Sequence, residues 1–88
     1  MNATILPGFP ERLLSALGRN VARFRKQHGW SQETLGFEAG IHRTYICDIE
    51  AGKRNSGIVN VAKLAKALGV SVSDLCKDIN HFYRAKSQ

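Results

Sequence analysis

Several residue types are scarce in this chain, and each scarcity closes off a class of protein. Only two cysteines occur, Cys47 and Cys76, too few for a disulfide scaffold. The three histidines, His28, His42 and His81, are scattered, so no His/Cys cluster has zinc-ligand spacing and no metal or cofactor is expected. No Ser/His/Asp set, supported Cys/His pair or phosphate-binding glycine loop is present, which argues against an enzyme and gives no sign of a small-molecule substrate. There is no long apolar run, hence no transmembrane span and no membrane partner. The opening MNATILPGFP has no basic stretch followed by an apolar one, so a secretion signal is not expected and the chain is placed in the cytoplasm. Acid is also scarce: 7 Asp+Glu stand against 13 Lys+Arg, a formal net charge of +6. That sign suits a polyanionic partner, but charge alone does not separate DNA from RNA or an acidic membrane.

What is present reads as helices. Eighty-eight residues make one small domain with little spare core, and leftover apolar surface in such a chain often ends in a dimer interface. Residues 1–9 read as an arm, because Pro7-Gly8 and Pro10 break any helix there. The domain is expected over 10–84 and a frayed tail over 85–88. Helix 1 should run from about Pro10 to His28, with Leu13, Leu14, Leu17, Val21 and Phe24 on one stripe and Arg12, Arg19, Arg23 and Lys26 opposite. Gly29 stops it, and Trp30 reads as a core anchor between helices 1 and 2. Helix 4 is expected over about Ile58–Leu68, with Ile58, Val61, Leu64, Ala65 and Leu68 inward. Ser71 and Asp74 form a capping box for helix 5. Beyond it Leu75, Cys76, Ile79, Phe82 and Tyr83 continue an apolar stripe, so helix 5 should reach further.

The segment Gln32–Ala51, QETLGFEAGIHRTYICDIEA, carries the most information. It reads as two short helices joined by a tight turn. Ser31 caps the first, whose inner side holds Leu35, Gly36 and Ala39. Gly40 supplies the turn at little cost. In the second, about Arg43–Ala51, Ile46 and Ile49 point inward at i and i+3. Its other side carries His42, Arg43, Thr44, Tyr45, Cys47 and Asp48, a polar, basic-led surface suited to a DNA major groove. Ser31-Gln32-Glu33, Gly40-Ile41, Arg43-Thr44-Tyr45-Ile46, Ile49-Glu50-Ala51-Gly52-Lys53-Arg54 and Leu64-Ala65-Lys66-Ala67-Leu68-Gly69-Val70-Ser71 follow in order at family spacing. Together they resemble the phage-repressor/Cro-like helix-turn-helix regulators, the XRE type. The resemblance spans Leu17 to Cys76.

The resemblance implies an all-α, five-helix, lambda-repressor-like domain with the helix-turn-helix at helices 2 and 3. It implies base readers at Arg43, Thr44 and Asp48, with Tyr45 and Cys47 close by. Arg43 suits guanine O6 and N7, and Thr44 offers a methyl to thymine. Asp48 has two readings: it accepts from cytosine N4, or it orients Arg43 or another cation. Gln32, His42, Lys53 and Arg54 are the implied phosphate contacts, with a solvated turn residue as the other reading of His42. Arg25 and Glu50 are implied to form a structural salt bridge between helix 1 and the end of helix 3. Cys47 reads as a passive thiol, since nothing marks its thiolate as activated beyond nearby Arg43.

The function that follows is sequence-specific regulation of transcription by a repressor, bound to double-stranded DNA at a palindromic operator as a homodimer. Recognition helices would lie about 34 Å apart. Leu75, Ile79 and Phe82 are the expected dimer contact, with Ile5, Leu6 and Phe9 of the arm competing for that role. The Arg43–Ile46 run also resembles restriction–modification controller proteins, and an antitoxin acting as autorepressor belongs to the same class. A protein-interaction adaptor on the same fold is the alternative of another class. It is disfavoured because helix 3 keeps Arg43 and Thr44.

Overall fold

The computed structural model describes residues 8–79. Within them lie five helices: α1 Phe9–Gln27, α2 Gln32–Ala39, α3 Arg43–Glu50, α4 Ile58–Leu68 and α5 Val72–Leu75. No strand occurs among the described residues. The expected all-α, five-helix architecture is the one found, and no described helix is long and apolar enough to cross a membrane.

Local signals fix most of the boundaries. Ser31 caps α2, its hydroxyl accepting from the Thr34 N–H at 3.0 Å. Ser71 and Asp74 form the reciprocal capping box of α5, each side chain accepting from the other's backbone N–H at 2.9 Å. This arrangement satisfies two donors that a helix start otherwise leaves orphaned. Gly40 closes α2 at φ 70°, where a residue with a Cβ would be strained. Pro10 falls in the first turn of α1, but the helix begins one residue earlier, at Phe9, with Gly8 as its cap.

The core is one apolar cluster. Val21 of α1, Leu35 of α2, Ile46 and Ile49 of α3, Leu64 of α4 and Leu75 of α5 are its fully buried members. Two glycines let α3 sit close to its neighbours. A Cβ at Gly18 would lie 2.4 Å from the Ile49 carbonyl oxygen, and one at Gly36 would lie 2.5 Å from that of Ile41. Neither contact can be relieved by a rotamer change, because both obstacles are backbone. Asn20 fastens the far end of the chain to α1, donating through Nδ2 to the carbonyls of Leu75 at 2.8 Å and Lys77 at 2.9 Å. His28 donates through Nε2 to the Leu68 carbonyl at 2.7 Å and stacks on Trp30 at 4.2 Å between ring centroids.

Three expectations are corrected. Leu75 was expected to face a second copy, but it is completely buried within this chain and belongs to the core. The stripe through Ile79 does not lie on a continued helix. α5 ends at Leu75, the next residues turn, and Asp78 takes a left-handed φ of 59°, which short polar side chains tolerate. Ile79 is half-buried against the core. Ile58, expected inward, is 67% exposed because it opens α4, where no element among the described residues covers it. Phe82, Tyr83, Ile5, Leu6 and the 85–88 tail lie outside the described residues.

Candidate nucleic-acid interface

The candidate surface is built from behind. Glu50, the last residue of α3, accepts from Arg25 Nε, from Arg25 Nη2 at 2.9 Å and from Gln32 Nε2 at 2.9 Å. Arg25 also donates through Nη1 to the Trp30 carbonyl at 2.8 Å. One carboxylate thus joins α1, α2 and α3. The Arg25 and Glu50 side chains are only 11% and 7% exposed, so this is a largely desolvated, bidentate pair. The hydrogen bond to Glu50 raises the Arg25 guanidinium above its ordinary range, against the opposing effect of burial.

This network bears on Gln32. One of its two amide protons is committed to Glu50. The other proton and the N–H groups of Gln32 and Glu33, ahead of the capped Thr34 N–H, remain for an outside anion. The residue is therefore a strut as well as the implied phosphate contact, a double role that sequence did not disclose.

The front of α3 is different. Arg43 and Thr44 are exposed, and their side chains have no partner among the described residues. His42 is the N-cap of α3: its Nδ1 accepts from the Thr44 N–H at 3.0 Å. An imidazole that accepts at Nδ1 carries its proton at Nε2, so His42 keeps one outward donor. The solvated-turn reading of His42 therefore gives way to a capping one. Cys47 is exposed on the same helix.

Asp48 and Arg54 are not independent. Arg54 Nη2 lies 3.4 Å from Asp48 Oδ2, and its guanidinium sits over the Tyr45 ring at 4.3 Å. Of the two readings of Asp48, the orienting one fits, with Arg54 rather than Arg43 as its cation. The Tyr45 hydroxyl accepts from Asn60 Nδ2 of α4 at 3.0 Å. Ser56 Oγ is buried with no aligned hydrogen-bond partner, yet it lies close enough to be the largest influence holding the Tyr45 phenol below its ordinary range. Asn60 and the Arg54 charge act in the same direction. Lys53 is exposed and its side chain has no partner among the described residues, while its backbone N–H donates to the Asp48 carbonyl at 2.9 Å.

Residues 21–75 match the family described as helix-turn-helix. The chain belongs to the XRE-type helix-turn-helix regulators.

This helix-turn-helix regulator is 49% identical over 59 residues to the control protein C.BamHI of Bacillus amyloliquefaciens, covering 66% of this chain and 73% of that one. It superposes on the restriction-modification controller protein C.AhdI from Aeromonas hydrophila with TM-score 0.69 and 40% identity, covering 70% of this chain and 94% of the other. The hypothetical transcription factor NHTF from Neisseria gives TM-score 0.73 at 34% identity, covering 83% and 84%. The regulator is thus a DNA-binding protein of a non-enzymatic family. Among its described residues no cluster of His, Cys, Asp and Glu could hold a metal ion.

Sequence reasoning did not find Gly18, Asn20 or Asn60 in this helix-turn-helix regulator. Gly18 had a usable signal: a glycine inside a helix costs up to about 1 kcal/mol and asks for a reason. Asn20 and Asn60 had none, since each acts on a residue distant in sequence.

Proposed function

We propose that the chain is a sequence-specific transcriptional regulator of the controller kind, acting in the cytoplasm on a palindromic operator as a homodimer and governing genes of a restriction–modification system. The observation that carries this reading is the contrast within α3, where Arg43 and Thr44, exposed and with side chains that have no partner among the described residues, stand on a helix whose far end is bonded to both neighbouring helices. An unpaired guanidinium on a rigid base suits bidentate reading of guanine. The likeness to the control protein C.BamHI and the controller protein C.AhdI favours a controller over the stand-alone repressor that sequence put first.

In this reading Arg43 and Thr44 contact base edges and Tyr45 joins them. Asp48 holds Arg54 in place. Lys53, Arg54, the His42 Nε2–H, the second Gln32 amide proton and the start of α2 meet phosphates. Such contacts fix register without reading sequence. The dimer contact is proposed at Ile79 with Phe82, Leu75 being withdrawn.

Selection of bound duplexes from a random library tests the whole reading. The expected product is two related half-sites with centres about 10 base pairs apart. Enrichment of a single unrepeated site would remove the dimer, and no enrichment would remove sequence specificity. Locating the motif near the chain's own gene tests the controller role, which requires a site in a promoter serving restriction–modification genes.

A further inference from the structure

Tyr45 differs from the other exposed residues of α3 in being held by two separate segments. Arg54, from the loop after α3, covers its ring at 4.3 Å, and Asn60, in the first turn of α4, donates to its hydroxyl oxygen at 3.0 Å. An amide nitrogen only donates, whereas a phenol oxygen both donates and accepts. The bond from Asn60 therefore takes one acceptor position of the phenol and leaves the phenol's own proton to an outside acceptor or to Ser56 Oγ, which lies close by without an aligned bond. Tyr45 is half-buried, so its body is packed while part of it still meets solvent.

We propose that Asn60 is a positioning residue for DNA readout: by donating to Tyr45 it holds the phenol oxygen in place and keeps the phenol proton available for an acceptor atom on a base edge. The inference rests on the reading that the exposed face of α3 enters the major groove, where purine N7, guanine O6 and thymine O4 are the available acceptors. Arg54 stacked on the ring and Asp48 paired to Arg54 restrict the swing of the same side chain. A phenol drawn below its ordinary range is also a stronger donor, which suits that task. Asn60 itself touches no base in this account, so its effect on specificity passes entirely through Tyr45.

The test is a double-mutant cycle on the selected operator and a mismatched duplex. Asn60→Ala should lower the ratio of matched to mismatched binding by about fivefold, the scale of one hydrogen bond. In a Tyr45→Phe background the same change should alter that ratio less than about twofold. Equal losses in both backgrounds would overturn the proposal. Asn60→Asp keeps the size of the side chain but reverses its polarity, so the carboxylate takes the phenol proton. Its loss of discrimination should match or exceed that of Asn60→Ala, and full retention would again overturn the proposal. Thermal unfolding accompanies each variant, and where Asn60→Ala fails to fold, Asn60→Asp carries the same comparison. The underlying groove reading fails separately, if Arg43→Ala leaves discrimination intact.

Discussion

The two ends of α3 use polar side chains in opposite ways. At its last residue, Glu50 is saturated by Arg25 and Gln32 in a nearly dry junction. At its first residues, Arg43 and Thr44 leave their side chains to solvent. The difference separates two tasks. A cation already paired inside its own chain must surrender that pair to meet DNA, whereas an unpaired one surrenders only water. Conversely, a recognition helix without a fixed rear loses affinity to the entropy of ordering it. If stability is concentrated behind α3 and recognition, as proposed, in front of it, substitutions at the two ends should produce separable defects.

The largest expected effect comes from removing half of the rear junction. Arg25→Ala leaves the Glu50 carboxylate largely buried without its counter-charge and should cost about 3–5 kcal/mol of stability. Chemical denaturation measures it, and a cost below about 1 kcal/mol would show the junction to be ornamental. Gly18→Val comes next. It forces a side chain onto the Ile49 and Glu50 carbonyls and should cost about 1–3 kcal/mol while shifting α3 away from α1. Unchanged denaturation would mean that the two helices do not approach so closely.

At the front the defects should move to DNA. Arg43→Ala should leave the melting temperature unchanged and remove about 1–3 kcal/mol of base discrimination per half-site. Equal weakening on matched and mismatched duplexes would reduce Arg43 to a phosphate contact. Lys53→Ala should weaken all sequences alike and lower the slope of log K against log salt by roughly one unit per protomer. A salt titration with an unchanged slope would leave Lys53 in solvent. The smallest effect lies away from both ends. The Ser71 backbone N–H and then its hydroxyl hold Asp74 below the usual carboxylate range. A depressed folded pKa gives stability that is present above about pH 4, the unfolded value, and is lost as pH falls through the lower folded one. Asp74→Asn should therefore flatten a shallow acid-side decline in stability, and acid unfolding curves that superpose would contradict this.

What could be read from sequence was mostly local. Ser31, Gly40, Gly52, Gly69 and the Ser71–Asp74 pair announce helix ends through their own backbone chemistry, and α4 lies where its apolar spacing put it. The Arg25–Glu50 bridge came from family resemblance and is present. Failures occurred where a residue's role depends on what lies across a gap in sequence. Gln32 meets Glu50 only after α2 and α3 fold together. Ile58 has a core residue's spacing but is left exposed among the described residues. Leu75 and Ile79 have helical spacing without a shared helix, because Asp78 turns the chain between Ile79 and α5.

The Asn20 side chain has a consequence in time as well as in space. It grips carbonyls 55 and 57 residues further along the chain, whereas α2 and α3 meet across a turn of three residues. Contacts between near neighbours in sequence form early, while the entropy of closing a long loop must be met before a distant contact returns anything. The expectation is that the helix-turn-helix unit assembles before Asn20 closes on α5, so that native-state hydrogen exchange should release the amides of α5 ahead of those of α2 and α3, and equal protection would contradict it.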